Sequence, residues 1–395
     1  MADIATGLGW CILLVLAIQT AWLAVQVTGA SAHHLRAALP SNARARLAVV
    51  IPAHNEAGGI LRTLESIQQQ LAPGDRILVV ADNCNDDTAA IAQRYGVDVI
   101  ARRDAVLKGK GFALAFGVDH LRPDPPEVVV FVDADCILAP CALDWLSYRC
   151  KANDRPVQAA YLMEADATTT PAKKLAAFAW VVKNWVRPLG ASRLGLGCLL
   201  YGSGMALPWR LAATAPLATA HLVEDLKLGL DLALAGEMPL FCPSAVVTSR
   251  FPDNPGGTLV QRTRWEHGHL DLIVRYVPRL VMHALRRRDG RLLMLALDLA
   301  IPPLSLLIVV AASGAITASV ALFFSANILL CLAFIAVAIF LLAVLIVAWQ
   351  KVGRAIIGLH DLHHALYYLL SKIPLYWHFL VKRQKEWIRS DRDRR

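Results

Sequence analysis

Between Leu292 and Trp349 the chain contains no Lys, Arg or Glu and a single acidic residue, Asp298. About 20 apolar residues cross the hydrocarbon core of a bilayer as a helix, so this stretch is long enough for two spans joined by a tight turn. Ser325-Ala326-Asn327 is the expected turn. The first span starts near Pro302-Pro303, because a helix tolerates Pro best in its first turn, and runs to Phe324; the second runs from Ile328 to Trp349. Gly9 to Val27 is almost as apolar and reads as a third span. A secretory signal cleaved at Gly29-Ala30-Ser31-Ala32 is the competing reading, but the residues before it include Asp3 and no Lys or Arg. The 395 residues are 56 % hydrophobic and 18 % charged, and the mean hydropathy of +0.47 is too high for an ordinary water-soluble globule.

The formal charge of +9 is placed by the same spans. Arg36, Arg44 and Arg46 follow the N-terminal span, Arg286 to Arg288 and Arg291 precede the hairpin, and Lys351 and Arg354 follow it. All fall on one side, which makes that side cytoplasmic. The basic excess therefore needs no nucleic-acid partner. Two further stretches read as interfacial helices on the inner leaflet. In Leu270 to Leu285, Ile273, Val277, Leu280, Val281 and Ala284 recur at helical spacing while Arg275, Arg279, His283 and Arg286 mark another face. Tyr367 to Leu380 mixes aromatic and aliphatic residues with Lys372 and Pro374 before the basic tail of Lys382, Arg383, Lys385 and Arg389.

The expected organisation is an anchor over 1–31, a soluble domain over 32–269, an interfacial helix over 270–291, a membrane hairpin over 292–349, and an interfacial helix with a basic tail over 350–395. Eight cysteines are scattered without CxxC spacing, which favours a reducing compartment. The His33/His34 and His363/His364 pairs lack cysteine partners, so no structural metal is expected.

Within the soluble part, apolar runs at Leu47 to Ile51, Ile77 to Ala81, Val97 to Ile100 and Val128 to Val132 alternate with helical patterns at Ala57 to Leu71, Asp87 to Tyr95 and Phe112 to Leu121. Such alternation predicts a doubly wound α/β sheet, whose ligands gather beyond the carboxyl ends of its strands. Those ends read Pro52-Ala53-His54-Asn55-Glu56, Asp82-Asn83-Cys84-Asn85-Asp86-Asp87-Thr88 and Asp133-Ala134-Asp135. A strand-like backbone would point Asp133 and Asp135 the same way, offering two hard oxygen ligands for Mg²⁺ or Mn²⁺ against a diphosphate; the plain alternative is a solvated strand end.

Lys108-Gly109-Lys110-Gly111 precedes a helix and suits phosphate, or is an ordinary basic turn. Glu224-Asp225 opens another helix, either as macrodipole partners or as a general base for a sugar hydroxyl. Gln261, Arg264 and Trp265 share a helix face that suits a phosphate and a stacked sugar ring, although Thr258 and Gln261 could equally form a capping box.

Taken in order, these segments, with QxxRW intact at 261–265, resemble the membrane-bound family-2 glycosyltransferases, the group that includes cellulose, chitin and hyaluronan synthases and ceramide glucosyltransferases. The resemblance spans about Ala48 to Gly268. It implies a GT-A fold, a Rossmann-like mixed sheet, and inverting transfer from a nucleotide sugar, UDP-linked first. Pro52, Glu56 and Asp82 would bind nucleoside, Lys108 and Lys110 would lie near the diphosphate, and Asp133 and Asp135 would bind ribose and metal. Asp225 of the Glu224-Asp225 pair would be the base, and Gln261, Arg264 and Trp265 would close over diphosphate and acceptor. Gly202-Ser203-Gly204-Met205 resembles the stretch beside the acceptor pocket, but Tyr201-Gly202-Ser203 replaces the Phe-Cys-Gly-Ser type found in some processive synthases. Three spans offer little wall for a polysaccharide channel within one chain, so transfer to a lipid-linked or saccharide acceptor, or a need for an export partner, is favoured over a self-contained processive synthase. The alternatives are a processive synthase with an export partner protein and a non-enzymatic nucleotide-sugar sensor.

Overall fold

The computed structural model describes residues 2–30, 44–165, 169–322 and 327–384. Ser31, Ala32, the His33/His34 pair, Arg36, Phe324, Ser325, Ala326, Lys385 and Arg389 lie outside the described residues. Two compact units make up the chain: one holds 1–31, 165–194 and 269–383, the other 32–164, 195–268 and 384–395.

The second unit is built on an eight-stranded mixed sheet. β1 (Leu47–Ala53), β2 (Arg76–Asp82), β3 (Asp98–Arg102) and β4 (Val128–Phe131) pair in parallel in the order β3-β2-β1-β4. β1, β2 and β4 are apolar runs buried nearly along their length, as parallel strands covered on both faces require, while the edge strand β3 is partly exposed. β5 (Ile137–Leu138), β6 (Val157–Met163), β7 (Met205–Pro208) and β8 (Leu240–Ser249) extend the sheet to β3-β2-β1-β4-β7-β6-β8-β5. β7 runs antiparallel to both β4 and β6, which makes the sheet mixed. The core packs Val50, Val80, Leu114, Phe131 and Leu207 together with no appreciable exposure. At Gly117 an added Cβ would stand 2.7 Å from Val50, so the helix Lys110–His120 lies directly on β1 and β2.

The first unit is helical. Among the described residues three segments, Thr6–Gly29, Leu304–Leu322 and Ile328–Gly353, are long and apolar enough to cross a membrane. Leu304 follows Pro302-Pro303 as expected, and Asn327 caps the last of the three by accepting from the Leu330 N–H at 3.0 Å. Lys351 donates to the carbonyls of Val27, Thr28 and Ala30 at 2.7 to 3.0 Å, a cation on a helix C-terminus. Buried Asp298 accepts from Gln26 at 2.6 Å and from Arg187 at 2.8 Å.

Two boundaries differ from the expected organisation. Residues 165–194, inside the expected 32–269 domain, cluster with the helical unit; they form the helix Pro171–Val181, a π turn and the helix Arg187–Arg193. They are too short and too charged to stand out as a span. The amphipathic stretch at 270–285 is no separate helix: it is the second half of one 33-residue helix, Pro255–Arg287, that carries QxxRW in its first half. Pro278 leaves that helix unbroken. The Tyr367 to Leu380 stretch forms the helix Ala365–Val381, with Leu366, Leu370, Trp377 and Leu380 exposed.

Candidate active site

The carboxyl ends of β1, β2 and β4 open on a cleft of about 1030 Å³. Nine sequence-derived residues line it: Pro52, Glu56, Asp82, Lys108, Lys110, Asp133, Asp135, Glu224 and Arg264. Asp225, Gln261 and Trp265 do not. Asp225 stands just behind Gly202, where an added Cβ would lie 2.8 Å from its Oδ2. Gln261 is 2 % exposed, and its Oε1 accepts no hydrogen bond.

At the β1 and β2 ends the backbone turns sharply, with Asn55 and Asn83 at φ of 55° and 53°. Asparagine tolerates this left-handed region better than most residues. His54 Nδ1 donates to the Asp82 carbonyl at 2.6 Å, and the Asn85 N–H donates to Asn55 Oδ1 at 2.8 Å, so the two ends brace one another. Asp82 itself is 6 % exposed. Its Oδ1 accepts from Arg102 Nη1 at 2.7 Å and Asn83 Nδ2 at 3.0 Å. Burial raises the pKa of the neighbouring Cys84 thiol, which keeps that side chain uncharged.

The Asp133-Ala134-Asp135 segment corrects the strand expectation. β4 ends at Phe131, and Cys136 N–H donates to the Asp133 carbonyl at 3.1 Å, closing a turn. The turn, rather than strand alternation, brings the carboxylates together: an oxygen of each and Cys136 Sγ lie within 4.8 Å of one another. Burial holds the Cys136 thiol well above its ordinary pKa, leaving the two carboxylates as the donors. Two hard oxygens facing a cleft fit Mg²⁺ or Mn²⁺, and a cationic side chain, the Lys110 ammonium, already rests on Asp133. Ser249 donates to Asp135 Oδ2 at 2.6 Å, and the Asp133 N–H donates to Ser203 Oγ at 3.1 Å.

Lys110 joins this turn to the Glu224-Asp225 end. The helix starts at Lys110 rather than Phe112, with Gly109 preceding it at φ 123°. Lys110 Nζ donates to the Gly202 carbonyl at 2.7 Å and stands 3.8 Å from Glu224 Oε1. Burial disfavours the ammonium, but Asp133, Glu224 and Asp225 outweigh it and raise the Lys110 pKa. Burial and the adjacent Asp225 push Glu224 up to about 7, against the pull of Lys110 and Arg264.

The capping-box expectation for Thr258 and Gln261 fails. Asn254 Oδ1 accepts from the Gly256 N–H at 2.9 Å at the start of the helix, while Thr258, already inside it, donates to the Pro252 carbonyl at 2.9 Å. Gln261 has no capping duty.

Sequence reasoning missed Arg102, Ser249 and Gln158, and it set Ser203 beside an acceptor pocket without seeing that it accepts from the Asp133 N–H. Gln158 is fully buried and shapes the Gly202 loop by accepting from the Tyr201 N–H at 2.8 Å and donating to the Ser203 carbonyl at 2.9 Å. Only Arg102 carried a usable signal, as the last residue of a strand beside one ending in Asp82.

The sequence profile of the glycosyltransferase like family 2 matches residues 44–268. A 4,4'-diaponeurosporenoate glycosyltransferase of Staphylococcus aureus (strain MRSA252) is 38 % identical over 106 residues, 26 % of this chain. The alignment spans 27 % of that relative's length. Among solved structures, a mannosyltransferase from Pyrobaculum calidifontis in complex with GDP-Man and Mn²⁺ aligns at TM-score 0.49 and 18 % identity, over 85 % of this chain and 98 % of its own. Glucosyl-3-phosphoglycerate synthase from Mycobacterium tuberculosis in complex with Mn²⁺, uridine-diphosphate and glucosyl-3-phosphoglycerate aligns at TM-score 0.39 and 21 % identity, over 57 % and 80 %. The mixed sheet and the family match agree on a GT-A-like fold. With more than half of its residues matched, the chain belongs to the glycosyltransferase like family 2.

Proposed function

We propose that the protein is an inverting glycosyltransferase that moves a sugar from a nucleotide sugar, with a UDP-sugar as the first donor to test, to a lipid-linked acceptor at the cytoplasmic face of a membrane. The observation that carries this reading is the single cleft in which the Asp133/Asp135 turn and Glu224 flank one lysine. Asp82 and its neighbours hold the nucleoside. Asp133 and Asp135 hold the Mg²⁺ or Mn²⁺ that, when bound, offsets charge on the diphosphate. Asp225 accepts the proton of the acceptor hydroxyl, with Glu224 beside it. Arg264, on the helix that also carries Gln261 and Trp265, supplies a guanidinium to the departing diphosphate. No covalent sugar–enzyme intermediate is needed, so an α-linked donor gives a β-linked product.

The apolar acceptor is supported by the three candidate spans, by the exposed Leu and Trp face of the helix Ala365–Val381, and by the similarity to the staphylococcal 4,4'-diaponeurosporenoate glycosyltransferase. The catalytic unit is assigned to the cytoplasmic side by the flanking basic residues. A panel of UDP- and GDP-sugars with Mn²⁺ and membrane lipid extract, read by nucleotide release and lipid mass shift, tests donor and acceptor together. One added sugar per lipid is expected; a ladder of products would favour a processive synthase, and nucleotide binding without turnover a sensor.

A further inference from the structure

Lys110 is better placed to act on the carboxylates than as a simple diphosphate contact. Its ammonium is ion-paired to Asp133 Oδ1, donates to the Gly202 carbonyl at 2.7 Å, and has Glu224 Oε1 at 3.8 Å, beyond hydrogen-bond reach. An ammonium has three donors and no acceptor, so one donor remains for Glu224 once the stem swings. The backbone beneath it is closely packed: at Gly111 an added Cβ would stand 2.5 Å from the Leu217 carbonyl oxygen. The four-carbon stem supplies the freedom to turn. A divalent cation and an ammonium cannot share Asp133 Oδ1 without strong like-charge repulsion in a partly closed cleft.

We infer that Lys110 is an internal counter-ion: it neutralises Asp133 while no divalent cation is bound, and yields Asp133 to the cation by turning toward Glu224. The inference rests on the reading of Asp133 and Asp135 as the cation pair. Lys110 is then a positioning residue linking occupancy of the donor side to the charge beside the acceptor base. A cation that enters must then displace a resident charge. Lys108 lines the same cleft and makes no ion pair among the described residues, so it is the natural control.

The test is direct Mn²⁺ binding to the full-length protein in detergent without nucleotide, by electron paramagnetic resonance of free Mn²⁺. Lys110→Met should tighten Mn²⁺ binding by about tenfold, the effect of removing roughly one competing ion pair. Lys110→Arg, which keeps the charge, should bind as wild type does, and Lys108→Met should change affinity less than about twofold, as expected for an unpaired, screened charge. Should Lys110→Met not fold, Lys110→Gln, whose amide can still donate to the Gly202 carbonyl, is expected to show the same tightening. Unchanged or weaker binding in the folded variant, or equal tightening in Lys108→Met, overturns the counter-ion role. Asp133→Ala separates the two levels: if it leaves Mn²⁺ binding intact, the cation-pair reading itself is wrong.

Discussion

Arg102 at the end of β3 donates to Asp82 at the end of β2 over 2.7 Å, and the two residues are direct partners in the parallel register. Their side chains are only 10 % and 9 % exposed. Removing the arginine leaves a buried carboxylate with Asn83 alone. Arg102→Met should therefore destabilise the protein by about 3 kcal/mol and raise the donor KM roughly tenfold with a smaller change in kcat. Denaturant unfolding and donor titration check both; an unchanged KM would remove Asp82 from the nucleoside site.

Asp225→Asn keeps the shape of the side chain but removes its ability to take a proton. Transfer should fall by ~10² to 10⁴ while nucleotide affinity stays within about twofold. Near wild-type turnover would exclude Asp225 as the base.

Ser249→Ala deletes the 2.6 Å hydrogen bond that orients Asp135. Loss of such an outer partner commonly weakens metal binding by about 10- to 100-fold. The Mn²⁺ concentration for half-maximal transfer should rise accordingly, with maximal transfer restored at saturating metal. An unaltered Mn²⁺ requirement would mean that Asp135 does not bear on the cation.

Glu224, held near 7 by burial and Asp225, binds its proton more tightly in the folded than in the unfolded chain. Between its ordinary value and about 7 the folded state holds the extra proton, so its share of stability is present in acid and is lost as pH rises through that window. Glu224→Gln removes the dependence. The Tm of the variant relative to wild type should climb from pH 5 to about pH 7.5 and level off above it; a flat difference would show that Glu224 titrates normally.

Arg275 is 60 % exposed while it pairs with Asp271, and Arg279 lies 5.5 Å from the Tyr276 ring centroid. If this half of the helix Pro255–Arg287 rests on an anionic leaflet, each basic residue near that surface contributes about 1 kcal/mol. Replacing Arg275, Arg279 and Arg286 with Glu should impair transfer to a lipid acceptor far more than donor binding. Cysteine probes at 275 and 286 in sealed vesicles should label from the cytoplasmic side; labelling from the other side would overturn the orientation.

The parallel half of the sheet was legible because β1, β2 and β4 are apolar runs ending in polar residues, the pattern that burial on both faces imposes, and the partly exposed β3 follows in the same alternation with helices. β8 escaped notice since its burial alternates irregularly, and β6, although buried almost throughout, since Gln158 and two alanines interrupt its apolar run; a register shift also interrupts their pairing between Ala159 and Ala160. Local motifs located the cleft residues but not their partners. Ser249 reaches Asp135 across 114 positions and Lys110 reaches Gly202 across 92, distances at which one sequence has no periodicity to read. The turn at Asp133 was misread for a simpler reason: alternation and a closed turn can bring residues two apart together, and only the Cys136 N–H decides between them.

Gly202 has φ of 98° and no room for a methyl group beside Asp225. That corner resists variation: any side chain would strain the backbone and crowd the Asp225 carboxylate at once. With Asp225 as the proposed base, a change of acceptor specificity, whether by drift or in a directed library, is expected from positions other than Gly202, where any side chain strains the backbone.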